Sequence, residues 1–537
     1  MKKILKIVLL TISNVSLAET PVELDTVEVI GNKSPLGVVN ASTEVNDNEI
    51  NDKYMYRSMP DALKYNPGIA IQQSGGQQQS PYFRSFTGYR TDLYIDGIRV
   101  NNGIEREGPN QYFGTFDPFT IGSLETTMGD STVLYGSDAI GGTTNVRSRD
   151  GAAQLTSGQN YNVRSVQRYN TGDSSYISRY ESAGRSGNVD WLFGASPKWY
   201  GNTIDGHGYS QPYTGYDEVD GDFKINFKIN NNHSFTALYQ RYSSNDAWRV
   251  HNTVYSTQFN GTQQGNLLRR SFDLSRDLGY LQYHGRDLGT WFADNVDVSF
   301  SVQNFNEPQN RASDGVVKSY LWSARGMSDT TIGSFIKASK DAGKLGIFDY
   351  GFETYQDNIS AWNNETMPNG SLESTFGPVA NGSKYGYTSL YIQNTYPLIK
   401  NKLDLISGGR YTYVTANVGP SEDPTSPGGT YAPFSRSFNF ATGSGKLLWH
   451  MDDNGHYDSW YSISQGARAP TIFDFSGDEL ARSYELQTPN PNITPESFLT
   501  YETGFKTSFD NFTSGITFYY NDIQNMITRV PTGAIID

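Results

Sequence analysis

Side chains able to carry chemistry are present in this chain but not gathered. Its six histidines, His207, His233, His251, His284, His450 and His456, follow no metal-ligand spacing, and all lie beyond residue 200. There is no H-E-x-x-H pair for zinc, no G-x-S-x-G elbow for a nucleophilic serine and no phosphate-cradling P-loop. Carboxylates are plentiful, yet no spaced pair sits on a scaffold suited to glycoside hydrolysis. With no cysteine, thiolate metal sites, cysteine nucleophiles and disulfide frameworks are excluded. The residue chemistry points away from an enzyme, and no cofactor or metal site is expected.

Charge and hydropathy narrow the classes further. The 42 Lys and Arg stand against 56 Asp and Glu, a net charge of −14, which leaves no basic face for a nucleic acid. No internal run approaches the ~20 apolar residues of a spanning helix, so a helical membrane protein is excluded. The apolar share is only 36%, but aromatics reach 14%, against the aromatic-poor composition of disordered chains.

The elements that must position any site fall into successive textures. Met1 to Lys6 is a basic start, Ile7 to Ile12 an apolar core, and Ser16-Leu17-Ala18 a small-residue cleavage pattern, so residues 1–18 read as an export signal. Residues 19–53 form a polar tail with one β-prone string, Asp25 to Gly31. Residues 54–150 look like a folded domain. Pro60 to Tyr65 is a short helix stopped by Pro67-Gly68, and Leu93 to Val100 is a hairpin turning at Asp96-Gly97.

From 151 to 537, period-two runs alternate with polar loops. Val296, Val298, Phe300 and Val302 alternate with Asp297, Ser299, Ser301 and Gln303; Phe223, Ile225 and Phe227 alternate with Lys224, Asn226 and Lys228. A soluble sandwich or a β-helix also alternates. Charges on the polar face, Tyr and Phe on the apolar face and an export signal fit a membrane β-barrel with a wet lumen better.

Several longer strings carry a family resemblance. These are Tyr82-Phe83-Arg84-Ser85-Phe86-Thr87-Gly88-Tyr89-Arg90 followed by Leu93 to Val100, and Leu124 to Val146 with its Leu134-Tyr135-Gly136-Ser137-Asp138-Ala139-Ile140-Gly141-Gly142 core. Later come Ala467-Arg468-Ala469-Pro470, Asn490-Pro491-Asn492-Ile493 and Tyr501-Glu502-Thr503-Gly504-Phe505. Over nearly its whole length the chain resembles a TonB-dependent outer-membrane receptor. That resemblance implies an all-β transmembrane barrel of about 22 strands with an N-terminal α+β plug domain in its lumen. It places the protein in the outer membrane of a Gram-negative bacterium, in contact with outer-membrane lipid.

The resemblance also implies partners and site residues. Asp25, Thr26, Val27, Glu28 and Val29, within the segment 25–30, look like the TonB box that pairs with TonB and its inner-membrane energising complex, a mode suited to strand addition. Plug arginines pair with barrel glutamates in the family, so Arg84 with Glu496 or Glu502 is a candidate bridge. Alternation puts Glu502 opposite Tyr501 and Phe505, hence into the lumen. Two departures stand out: Met128 replaces the arginine usual before Gly129, and Ser85 the glycine usual after Arg84. Apical plug loops are expected at Gln72–Ser80 and Asn101–Phe113, and Tyr82, Tyr89, Tyr112 and Phe113 are candidate ligand contacts.

The expected cargo is a scarce metal chelate, first a ferric siderophore and next haem or a haem protein. The paired boxes lean toward haem receptors, yet residues 471–489 and 1–206 contain no histidine, leaving Tyr484 as an axial candidate. A passive porin and a secreted β-rich adhesin are the alternatives from other classes. About 14–17 strands are legible, the boxes lie close to the C-terminus, and 537 residues read as part of a longer frame.

Overall fold

The computed structural model describes residues 42–531, apart from 47, 109–111, 130, 137, 258–263, 317, 424–428, 478–486 and 510–511. The expected export signal, the TonB-box residues Asp25 to Val29 and Tyr484 lie outside the described residues. No described helix is long and apolar enough to cross a membrane.

The first unit is a five-stranded sheet ordered Ser42–Asn46, Ile121–Met128, Gly142–Ser148, Asp92–Ile95 and Ile98–Arg99. Asp92–Ile95 and Gly142–Ser148 run parallel, and the other neighbours are antiparallel. The hairpin at Asp96-Gly97 forms because both residues adopt left-handed backbone, φ 47° and 79°, as a tight turn between twisted strands requires. Met59–Leu63 is the short helix, with Pro60 in its first turn, where a missing N–H is harmless. Ile69–Gln73 and Gln79–Phe83 make a separate hairpin. Leu93, Ile95, Ile98, Ile121, Leu124 and Val146 form the buried centre of this plug.

Around it stands a 16-stranded antiparallel sheet. Its strands follow chain order from Tyr161–Asn170 to Phe512–Gln524, with the four-residue Leu372–Thr375 added beside Ile347–Thr366. Those two outermost strands are the edges of the sheet, and among the described residues they do not pair with each other. Two rims differ in kind. Residues 229–232, 342–346 and 400–402 make short turns at one rim; 201–215, 249–268 and 469–495 make long connections at the other.

The wall is polar inside and apolar outside. On Asn295–Ala312, Asp297, Ser299, Ser301 and Gln303 are buried while Val298, Phe300 and Val302 are exposed. The plug satisfies many of the inward groups. Lys337 Nζ donates to the carbonyl of Gly97 at 3.0 Å, Gln282 Nε2 to that of Asp96 at 3.0 Å, and Tyr280 Oη to Asp96 Oδ2 at 2.8 Å. The hairpin turn is thus gripped by the barrel wall, which fixes the plug strands that lead to the charged contacts below.

Candidate functional site at the plug–barrel interface

Buried ion pairs join plug to wall, among them two larger sets and the single pair Arg106–Glu307, and a cavity lies beside the first set. In the first set the plug supplies the cations. Arg84 Nη1 donates to Glu502 Oε2 at 2.6 Å, and Trp460 Nε1 donates to Glu502 Oε1 at 2.8 Å. The Arg84 guanidinium also lies 4.3 Å from the ring centroid of Tyr519. Tyr501 is 47% exposed whereas Glu502 is buried, the opposition that strand alternation dictates.

Gly129 explains how the bridge fits. A Cβ there would sit 2.5 Å from Glu502 Oε2 and 2.8 Å from Arg84 Nη1, and its φ of +80° also suits glycine. Met128, in the position where the family usually has arginine, packs its sulfur against Gly68 instead. Arg84 and Ser85 are both left-handed, φ 49° and 74°, a conformation costing on the order of 1–3 kcal/mol without glycine. That strain lies immediately beside the bridge.

Glu496 is not Arg84's partner. It faces Arg468 across the ladder, several residues along the wall from Glu502, and takes Arg90 from the plug. Arg90 binds it through two nitrogens, Nε to Oε2 at 3.1 Å and Nη2 to Oε1 at 2.6 Å. Arg468 Nε donates to Glu496 Oε2 at 2.9 Å. Arg90 lies within the plug string quoted above, and its neighbourhood to Arg84 was the available signal.

In the second set the plug supplies a carboxylate to a wall ammonium as well as an arginine to a wall carboxylate. Asp117 of the plug caps the turn Pro118–Thr120, accepting from Phe119 N at 3.1 Å. It receives Lys198 Nζ at 2.9 Å and the Ser196 hydroxyl, with Arg179 at 3.8 Å. Burial would raise the Asp117 carboxyl, but Lys198 and Arg179 outweigh it and hold the group below the usual carboxylate range. Lys198 also donates to Glu218 at 2.6 Å and Asp220 at 2.7 Å, and Arg149 of the plug pairs with Glu181 at 2.7 Å.

A third buried cluster sits between them. Asp92 lies among Arg99, Asp138 and Arg410, with Arg99 Nε at 3.9 Å. Burial pushes its carboxyl up to about 8, against the pull of Arg99.

The cavity has a volume of about 480 Å³, lined by Tyr82, Arg90, Arg106 and Glu107 of the plug, Arg249 of a long connection, and Arg529 beyond the last strand. Four guanidiniums and one carboxylate line it, and two of the four, Arg90 and Arg106, are paired with the wall carboxylates Glu496 and Glu307. Among the four aromatic candidates, Tyr82 is on this wall, its hydroxyl donating to Gln72 at 2.7 Å. The other three differ from expectation, because a plug loop enclosed by the wall has little solvent to face. Tyr89 is buried under Arg468, Tyr112 packs edge-on against Phe305 at 4.5 Å, and buried Phe113 lies against Phe83.

A globular plug ion-paired inside a strand wall with a polar lumen defines a plugged β-barrel of the receptor and transporter class. Residues 35–143 match the TonB-dependent receptor plug domain, and residues 135–537 match the TonB-dependent receptor-like β-barrel. The chain belongs to the TonB-dependent receptors, a family of outer-membrane receptors and transporters of Gram-negative bacteria, not of enzymes. It is 25% identical over 492 residues to a hemin receptor of Yersinia pestis, covering 88% of this chain and 65% of that protein. It is 24% identical over 529 residues to the vitamin B12 transporter BtuB of Vibrio vulnificus, covering 94% and 71%. The copper transporter OprC shares the fold with a TM-score of 0.73 at 14% identity, covering 90% of this chain and 72% of that one. The chain thus spans less than two thirds of the length of the hemin receptor.

Proposed function

We propose that the protein takes up a scarce metal chelate bearing anionic groups, a ferric siderophore first, across the outer membrane with energy delivered through TonB. The observation that carries this reading is the cavity lined by Arg90, Arg106, Arg249 and Arg529. Guanidiniums bind carboxylates and other planar anions through paired hydrogen bonds, which suits the acidic donor groups of a chelate. Arg90 and Arg106 are each held by a wall carboxylate, Glu496 and Glu307. An anion in the cavity competes for both arginines, and so links occupancy to the ties that hold the plug. The tail containing Asp25 to Val29 would then be offered to TonB.

Haem is the second reading, favoured by the likeness to the Yersinia pestis hemin receptor. The absence of histidine from residues 471–489 and 1–206 weighs against an imidazole ligand in those segments. A titration of the protein in detergent with haem, and in parallel with ferric hydroxamate and ferric catecholate chelates, separates the two. Saturable binding of a ferric chelate, weakened in Arg529→Ala, is expected. A one-to-one Soret shift with no chelate binding would replace the siderophore by haem.

A further inference from the structure

Arg468 is fully buried and divided between two carboxylates. Its Nε donates to Glu496 at 2.9 Å and its Nη1 to Asp474 at 2.7 Å. Because Arg90 holds the other side of Glu496, the charges run Arg90, Glu496, Arg468, Asp474, two of each sign. The Arg468 guanidinium also covers the ring of Tyr89 at 3.6 Å, next in sequence to Arg90. Asp474 is thus the charge that makes the group neutral.

Asp474 belongs to the helix Ile472–Ser476 in the long connection that opens at Ala469. A capping box fixes it there: the Thr471 hydroxyl accepts from Asp474 N at 3.2 Å and the Asp474 carboxylate accepts from Thr471 N at 2.8 Å. The same helix start is tied to the plug. Ile472 N donates to the Gly103 carbonyl at 2.9 Å, and the Thr471 hydroxyl to the Glu105 carbonyl at 3.0 Å. The Phe473 ring lies 5.6 Å from the guanidinium of Arg106, one of the cavity arginines.

We propose that Asp474 is a positioning residue for the plug: by balancing Arg468, it reserves Glu496 for Arg90. If the helix moves outward, two guanidiniums are left on one carboxylate in a site closed to water. Repulsion in such a site is stronger than at a surface. It falls on Arg90, because Arg468 stays fixed by its own strand and by the Ala469 carbonyl at 3.3 Å. The helix therefore works as a clasp whose position sets how firmly the plug is held. Its use in uptake rests on the receptor reading above; the charge balance itself does not.

The test is amide hydrogen exchange of the full chain in detergent micelles, without any ligand. Asp474→Asn keeps the size and the capping carbonyl but removes the charge. It should speed exchange at Gly88–Thr91 about tenfold while leaving the wall amides unchanged. Adding Arg468→Gln restores neutrality around Arg90 and Glu496, and should bring that exchange back to within about threefold of the original protein. A residue that only caps its helix would change exchange at 471–477 and not at 88–91. That pattern, or a double variant faster than the single one, overturns the proposal. Chelate and haem titration of the unmodified protein keeps the two readings apart: binding of neither ligand defeats the uptake reading alone.

Discussion

The two ion-paired faces of the plug share their charge differently. On the face toward Glu496 and Glu502, each wall carboxylate holds one plug arginine and has a second donor in reserve, Arg468 or Trp460. On the face toward Lys198, one ammonium serves three carboxylates, Asp117 from the plug and Glu218 and Asp220 from the wall. Removing one charge from the first face leaves its partner still hydrogen-bonded. Removing Lys198 leaves Glu218 and Asp220 without their cation and Asp117 with only the more distant Arg179 at 3.8 Å. The first face can loosen by degrees, whereas the second leans on one ammonium.

Lys198→Met tests this asymmetry most severely. It should lower the stability of the folded chain by roughly 3–5 kcal/mol, the usual cost of stranding a buried charge, read from the denaturant midpoint in detergent. An unchanged midpoint would break the comparison. Arg84→Met should cost less, about 2 kcal/mol, because Trp460 still donates to Glu502. Its signature should be faster exchange at residues 84–91 with the wall amides unmoved; a loss spread through the wall would make the two faces alike.

Asp92→Asn sharpens the comparison with the opposite sign, a gain in stability that appears only as pH rises toward the alkaline side. The Asp92 carboxyl is raised by burial to about 8, while an unfolded aspartate titrates near 3.9. Between about pH 4 and 8 the folded chain keeps a proton that the unfolded chain releases, so stability falls as pH rises through that window. The asparagine variant does not titrate there. Its advantage should grow from pH 4 to 8 and stay level above, and thermal midpoints measured across that range check it. Ser196→Ala is the smallest test: Asp117 loses one hydroxyl donor but keeps Lys198, so less than about 1 kcal/mol is expected in the same assay.

Much of this was readable from alternation. Period two alone turned Glu502 inward and Tyr501 outward, and Asp96-Gly97 between β-formers specified its turn. What alternation cannot give is the neighbour across the lumen. Arg90 meets Glu496 and Asp117 meets Lys198 because a wall of many strands brings residues far apart in the chain to one level, and each side-chain period repeats without marking which level is which. Burial misled for a related reason. Tyr112 and Phe113 end a polar, glycine-rich stretch, the usual mark of a solvent-facing loop, yet both are buried and the start of the helix Ile472–Ser476 bonds that stretch at Gly103 and Glu105; Tyr89 is covered by Arg468. Arg468 and Asp474 sat in or beside a recognised box without revealing that they share a charge.

The unequal strands have a consequence for what stands above the membrane. Tyr161–Asn170 has 10 residues, whereas Trp322–Asp341 and Ile347–Thr366 have 20 each. At about 3.4 Å per residue and a tilt near 40°, the longer ones rise roughly 50 Å and the shorter roughly 25 Å, about the height of the apolar band itself. Short turns keep one rim level, so the surplus stands on the side of the long connections. The rim of long connections is therefore uneven, with the strand ladder standing high at Trp322–Asp341 and Ile347–Thr366 and lower at Tyr161–Asn170.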